Sequence, residues 1–277
     1  MSKVTREEII KDLREKIERK EPIVVAGAGY GLMGMAEDDG GADLIMAYNT
    51  GIHRMNGLHS VSGFRAICDA NEEDIDMGKS LIPVVHHTPV IVGIGAGDPY
   101  RSQDELIDTM MEKGFDGITA FPKGTGLDDP TCIFASTVRK FGLGDAAEAR
   151  LIRKCRDRNI FTVQYAHEDE SLKLFVDAGV DCICAHMGGT AGGTTGQGKS
   201  VDEVCEQTQR FYEKAYALNP DLIILTHGGP LGNVRNVGEV LTRTSIHGFI
   251  GASTIERIPT ENAVISTIKQ YHGLRLR

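Results

Sequence analysis

Short, largely apolar runs alternate along the chain with stretches whose apolar positions recur every three to four residues. The runs fall near Ile23–Ala26, Leu44–Ala47, Val90–Ile94, Gly117–Phe121, Phe161–Tyr165, Cys182–Ala185, Leu222–Leu225 and Gly248–Ile250. Most are bounded by Gly, Pro or Asp and are too short for helices, which predicts eight buried strands. Between them, Ser102–Lys113 starts on a good N-cap residue and carries Leu106, Ile107, Met110 and Met111 on one side, and Ala146–Arg158 and Val201–Leu218 have the same character. Strands alternating with helices imply a parallel sheet.

An internal echo favours closure into a barrel. Gly41-Ala42-Asp43-Leu44-Ile45, Gly114-Phe115-Asp116-Gly117-Ile118 and Gly179-Val180-Asp181-Cys182-Ile183 share the form Gly–apolar–Asp–x–Ile, and they lead into strands two, four and six. A glycine at the helix C′ position supplies a left-handed backbone, and the next strand starts at once. Recurrence on every second strand suits a (β/α)8 TIM barrel, whose interior is filled in layers from alternate strands. The expected organisation is one domain over residues 1–277, with an amphipathic helix in 1–20 and long connections at Thr50–Thr88 and Lys123–Asn159, after strands two and four.

Composition narrows the function classes. The 277 residues are 41% hydrophobic and 25% charged, a globular balance. A net charge of −9 without any long Lys/Arg run predicts no nucleic-acid and no membrane-surface partner. No apolar run approaches the roughly 18–20 residues of a membrane span, and the charged N-terminus lacks the apolar core of a secretory signal. A cytoplasmic location is the expectation. The six cysteines show no zinc-type CxxC pairing, and Cys182 and Cys184 are expected to pack a strand.

In a parallel barrel, ligand chemistry gathers at the C-terminal ends of the strands. Those ends carry Gly27-Ala28-Gly29, Tyr48-Asn49, Gly97-Asp98-Pro99, Pro122-Lys123, His167-Glu168, His186, His227, and Ser253 followed by Glu256. Asp98 could hold Mg²⁺ through water, or simply form an Asp-Pro turn. His167, His186 and His227 could ligate Zn²⁺ as an alternative metal, with Glu168 beside them, or could orient substrate and move protons. His86 and His87 precede strand three and are expected to be structural. The turns at Gly188-Gly189, Gly228-Gly229 and Gly251-Ala252-Ser253 could present backbone amides to phosphate or carboxylate oxygens, or merely permit tight turns. Gly27-x-Gly29-x-Gly31 has the wrong spacing for a dinucleotide fingerprint, so no nucleotide cofactor is expected. Lys123 could form a Schiff base, neutralise a phosphate or face solvent. Arg54 would suit a substrate carboxylate, and Glu256 a base or an ion-pair partner.

Taken together, Tyr48-Asn49-Thr50-Gly51 through Arg54-Met55, Thr88-Pro89-Val90 leading to Asp98-Pro99-Tyr100, Ala185-His186-Met187-Gly188, His227-Gly228-Gly229-Pro230 and Gly251-Ala252-Ser253-Thr254-Ile255-Glu256-Arg257 with Pro259-Thr260-Glu261 resemble the phosphoenolpyruvate hydrolase-like family of TIM barrels, near the phosphoenolpyruvate/pyruvate-domain barrels. The resemblance runs from about Glu21 to Tyr271. Two places depart from the family pattern: Lys123-Gly124-Thr125-Gly126-Leu127 after Phe121-Pro122, and Ala166-His167-Glu168 at the end of strand five. The resemblance implies a hydrolase or lyase acting at a C–O or C–C bond of a small anionic oxo-acid or phosphorylated substrate. By their positions at the strand ends, Asp98, His186, His227, Glu256 and Lys123 would be its catalytic groups. Gly27, Gly29, Asn49, Arg54 and the glycine turns would bind substrate. The rivals are an aldolase using Lys123 and a non-catalytic ligand-sensing or protein-binding barrel. An exposed N-terminal helix suggests a homo-oligomer.

Overall fold

The computed structural model describes residues 4–64, 68–123, 137, 140–167, 169–191 and 199–277. Eight parallel strands close into one barrel in sequence order, β1 (Ile23–Ala28), β2 (Leu44–Ala47), β3 (Val90–Ile94), β4 (Gly117–Ala120), β5 (Phe161–Ala166), β6 (Cys182–His186), β7 (Ile223–His227) and β8 (Gly248–Gly251), with β8 pairing back onto β1. Each predicted run is a strand, and the ends move by no more than two residues. Ten α-helices are described: α1 (Arg6–Glu18), α2 (Gly31–Asp39), α3 (Thr50–Met55), α4 (Ala70–Leu81), α5 (Gln103–Lys113), α6 (Asp145–Asp157), α7 (Asp169–Ala178), α8 (Val201–Leu218), α9 (Val234–Arg243) and α10 (Arg257–His272). The connection after β2 holds α3, a 3₁₀ turn (Ser60–Phe64) and α4, while much of the one after β4 lies outside the described residues. No described helix is long and apolar enough to cross a membrane.

Strand alternation separates two apolar layers. Ile45, Val90, Val92 and Ile118 face outward onto helices, whereas Ile23, Val25, Leu44, Met46, Ile91, Phe161, Val163, Cys182, Cys184, Ile223 and Leu225 fill the interior. Cys182 and Cys184 therefore pack the barrel core, as expected.

Ile9 and Leu13 of α1 belong to that same interior cluster and are 2% and 3% exposed. The N-terminal helix is thus a plug across the bottom of the barrel, which corrects the expectation of an exposed surface available for oligomer contacts. A Thr5–Glu8 capping box starts it. The sequence echo explains its seat. Gly41, Gly114 and Gly179 have φ of 76°, 97° and 88°, as the turn requires. The aspartate two residues later accepts the amide of a neighbouring odd-numbered strand: Val24 N–H to Asp43 (2.8 Å), Val90 N–H to Asp116 (2.9 Å) and Thr162 N–H to Asp181 (3.0 Å). The same three carboxylates receive the N-terminal segment, through Lys16 to Asp43 (2.7 Å), Val4 N–H to Asp116 (3.3 Å) and Arg6 to Asp181 (2.6 Å).

His86 and His87 also lie on this face. Their amides and that of Thr88 donate to Asp38, while both side chains are exposed. Four exposed apolar residues, Val264, Ile265, Ile268 and Tyr271, fall together on α10, and others lie on α2 (Leu32, Met35), α8 (Tyr216, Leu218) and α9 (Val234).

Truncating the plug tests its weight. Leu13→Ala is expected to cost about 2–5 kcal/mol, because the barrel floor cannot collapse onto the void. Urea denaturation reads this as a lowered midpoint, whereas an unchanged midpoint would mean that α1 is not part of the core.

Candidate functional site

The interior register continues past the strand ends and builds the mouth of the barrel. An aromatic floor comes first. The Tyr48 ring lies tilted 4.4 Å from Phe121, Phe121 lies 6.0 Å from Tyr165, and the Tyr48 and Tyr165 hydroxyls are 3.2 Å apart. Above it stand the histidines. His186 and His227 are register partners on adjacent strands, with rings 5.0 Å apart, and Tyr165 meets both edge-on at 5.7 and 5.6 Å. His167 follows in the same alternation just past β5, its ring 4.4 Å from His186.

Backbone hydrogen bonds fix opposite tautomers for the central pair. The Gly188 amide donates to His186 Nδ1 (3.1 Å), so in the neutral ring the proton sits on Nε2. His227 Nδ1 faces the Ile250 carbonyl at 2.7 Å, which can only accept, so His227 carries its proton on Nδ1 and a lone pair on Nε2. Both rings are neutral at neutral pH. Burial in the mouth pulls His227 down to about 4, with Arg54 adding to the effect, and pulls His186 well below the usual range, with His227 and His167 adding to it. His167 is lowered to about 4 by burial and by Lys123. One imidazole donor thus stands beside one imidazole acceptor, with both rings half-buried.

The opposite wall is cationic and small. Arg54 is buried and held by Glu256 through Nε (2.8 Å) and Nη2 (2.6 Å). The other Glu256 oxygen accepts the Gly29 amide at 2.6 Å. Burial raises the Glu256 carboxyl, and Arg54 and Gly29 oppose it. With both oxygens engaged, Glu256 positions Arg54 and is not a free base. A side chain at Gly27 would sit 3.2 Å from Ala252 and 3.6 Å from the guanidinium, so glycine here keeps space beside the cation. Asn49 is fully buried. Its amide nitrogen donates to the Gly63 carbonyl (3.0 Å) and its Oδ1 has no partner.

Several predicted residues take other roles. Asp98 is the turn residue of the bland alternative. Its oxygens accept from Asn71 (2.8 Å), the Tyr100 and Arg101 amides (2.8 and 2.9 Å) and the Arg101 guanidinium (2.7 Å). Burial pushes this carboxyl up, but those hydrogen bonds outweigh it and hold it at about 2. A carboxylate so engaged has no lone pair directed at a cation. Lys123 turns away from the mouth to the outer helices. It pairs with Glu148 of α6 (2.7 Å), donates to the Tyr165 carbonyl (3.1 Å) and lies over the Phe175 ring of α7. An ammonium so bound is not poised as a Schiff-base nucleophile.

Among the glycine turns, Gly188 and Gly229 spend their amides internally, on His186 and on the Gly188 carbonyl. A side chain at Gly228 would strike Gly188 O at 1.9 Å, so this glycine serves close packing of two loops. Gly189 is exposed with open space around it, while Ala252 and Ser253 are buried at the end of β8. A side chain at Gly251 would meet Ile255. Glu168 lies outside the described residues.

Other groups escaped sequence reasoning. Asp74 of α4 is fully buried, and neither carboxyl oxygen has a hydrogen-bond partner. A side chain at Gly93, an interior position of β3, would lie 2.8 Å from Asp74 Oδ2 and 2.9 Å from Tyr48 Cβ, so the carboxyl occupies the space that glycine vacates. Burial holds it protonated well above the usual range. Glu37 of α2 is similar, with both oxygens unpartnered and its value raised to about 8 by burial and by Glu256. Asp74 and Asn49 Oδ1 are unpartnered hard oxygens, the donor type that suits Mg²⁺. Among the described residues, three ligand atoms of His, Cys, Asp or Glu all come within 4.8 Å of one another only at His53, Cys68 and Glu73; the three mouth histidines do not meet that spacing.

Comparison with known proteins agrees with this architecture. The family model described as phosphoenolpyruvate hydrolase-like matches residues 8–274. The tomato (Solanum lycopersicum) ToMV susceptible protein tm-1(GCR26) is 35% identical over 271 residues, which are 97% of this chain and 36% of that protein. A Sinorhizobium fredii protein, described as a putative transcriptional regulatory protein, is 30% identical over 92% of this chain and 42% of its own length. The chain therefore spans well under half of these relatives. Among solved structures, phosphonopyruvate hydrolase in complex with oxalate and Mg²⁺ has a TM-score of 0.61 at 13% identity, over 96% of this chain and 89% of that one. Oxaloacetate acetylhydrolase with oxalate reaches 0.58 at 16% identity, covering 98% and 89%. These two likenesses concern the fold. The match across nearly all of the barrel is decisive for descent: the chain belongs to the phosphoenolpyruvate hydrolase-like family.

Proposed function

We propose that this barrel is a hydrolase or lyase that breaks a C–O or C–C bond beside a carbonyl in a small anionic oxo-acid or phosphorylated acid. The observation that carries it is the imidazole pair of opposite tautomers, His186 with N–H and His227 with a lone pair, standing in register above an aromatic floor and near the Arg54 cation. In a carbon–carbon cleavage, His227 Nε2 takes the proton of the substrate hydroxyl and the C–C bond breaks. Its electron pair becomes an enolate whose oxygen accepts a hydrogen bond from His186 Nε2–H. In a hydrolysis, His227 takes a proton from the water that attacks the substrate carbonyl carbon, and His186 steadies the oxyanion. Collapse of that adduct breaks the scissile bond and expels a leaving group that takes the proton back from His227. Arg54 meets the substrate carboxylate, and Gly27 leaves the space for it.

Mg²⁺ is the expected ion, with Zn²⁺ as the alternative; Asp74 and Asn49 would hold it, and when bound it would draw electrons from the substrate carbonyl. The solved relatives with oxalate or Mg²⁺ in their descriptions support this substrate class. A reducing, cytoplasmic setting is supported by the free thiols of Cys68, Cys155, Cys182, Cys184 and Cys205. Self-association is supported by the exposed apolar residues of α10 rather than by α1. The ion-paired state of Lys123 speaks against the aldolase rival.

A panel of oxo-acids and phosphorylated acids separates enzyme from binding module: saturable binding without turnover would favour the module. On the acid that is turned over, His227→Gln is expected to lower kcat by about 10²–10⁴-fold. The acid limb of the wild-type rate should fall near pH 4, because His227 accepts a proton from substrate only while it is itself unprotonated; a limb between pH 6 and 7 would contradict that. Asp98→Ala should instead act on stability. Its depressed carboxyl contributes about 2 kcal/mol above pH 4, which is lost as pH falls through about 2. Denaturation at pH 7 should therefore show the loss in the variant, with kcat changed little.

A further inference from the structure

We infer that His53, Cys68 and Glu73, in the connection between β2 and β3, form a binding site for one zinc-class divalent cation that staples this connection together. The site adjoins the mouth but shares no ligand with it, and it does not depend on the reaction proposed there.

Its geometry is that of a metal site before a metal. A tetrahedral zinc with bonds of about 2.0–2.3 Å sets its ligand atoms about 3.3–3.5 Å apart. Here His53 Nε2 stands 3.3 Å from Glu73 Oε2, Cys68 Sγ 3.2 Å from the same oxygen, and Cys68 Sγ 3.8 Å from His53 Nε2. The imidazole is also prepared for ligation. The Ser62 hydroxyl donates to the His59 carbonyl at 2.8 Å and so accepts from His53 Nδ1–H at 2.7 Å. The neutral ring then directs a lone pair, not a proton, toward a carboxylate oxygen. A metal ion set between these two acceptors, 3.3 Å apart, would satisfy both. A hydrogen-bonded second shell that fixes the ligating nitrogen is typical of metal sites.

Charge and donor type select the ion. A thiolate and a carboxylate neutralise one divalent charge, and an S, N, O set suits zinc, whereas Mg²⁺ prefers oxygen alone. Three protein ligands leave a fourth position to water. Without a cation, burial and Glu73 push the Cys68 thiol up to about 11; a bound metal would reverse this. The staple would join α3 to α4. His53 precedes Arg54, Glu73 precedes Asp74, and Asn49 lies against Cys68 at 3.8 Å, so the same cluster would steady three groups of the mouth.

Cobalt is the probe. The full chain is stripped with a chelator, titrated with Co²⁺, and then challenged with Zn²⁺. We expect a near-ultraviolet thiolate-to-cobalt band with visible ligand-field bands, displacement of both by Zn²⁺, and a rise in Tm on adding zinc. Cys68→Ser should lose the band and the rise, and Cys205→Ser should keep both. Absence of the band in the wild type, or its persistence in Cys68→Ser, would overturn the site and leave a plain His53–Glu73 ion pair. Should Cys68→Ser fail to fold, alkylation of the wild type decides. Zinc is expected to slow carbamidomethylation of Cys68 at least tenfold, and an unchanged rate would also overturn the site.

Discussion

Parallel strands β6 and β7 pair in register, so that His186 lies beside His227 at the edge where the sheet ends. Most of the mouth's chemistry depends on that register. A slip of one residue would turn one imidazole out of the interior and toward the helices. The Ile250 carbonyl of the neighbouring β8 and the Gly188 amide just past β6 then decide which nitrogen of each ring holds its proton. The two rings are alike in type and opposite in capacity because their backbone neighbours differ.

Stability and chemistry occupy opposite ends of the barrel. At the bottom, three aspartates each bind a strand amide and a group of the N-terminal segment, so one residue type closes the sheet and seats the plug. At the top, buried carboxyls stand without partners and histidines are held neutral against their usual titration. Polar groups of this kind cost stability and are retained where chemistry or binding uses them. The plug and the well-filled interior below the aromatic floor offset that cost.

The fold was legible because its signals are local. Eight apolar runs, their glycine punctuation and the capping residues Ser102 and Ser200 depend on near neighbours in the chain. The Gly–apolar–Asp echo was visible too, although its purpose was not, since each aspartate's partners lie 19 to 175 residues away. His186 and His227 were legible as strand-end histidines; their tautomers needed the register. Asp98 and Lys123 look functional by position alone, yet Arg101 and Glu148 claim them. Asp74 gave no signal, because only the absent side chain at Gly93 makes room for it. The seat of the N-terminal helix was not legible for a related reason: an amphipathic pattern shows that one face is apolar but not what covers it.

The central claim is that two neutral imidazoles of opposite tautomer meet at the mouth. Long-range ¹H–¹⁵N NMR of histidine-labelled protein tests it directly, with His186→Gln and His227→Gln supplying the assignments. The account predicts a proton on Nε2 of His186 and on Nδ1 of His227 at pH 7, and a His227 ring that stays neutral until the pH nears 4. The same tautomer in both rings, or titration of either ring between pH 6 and 7, would contradict it.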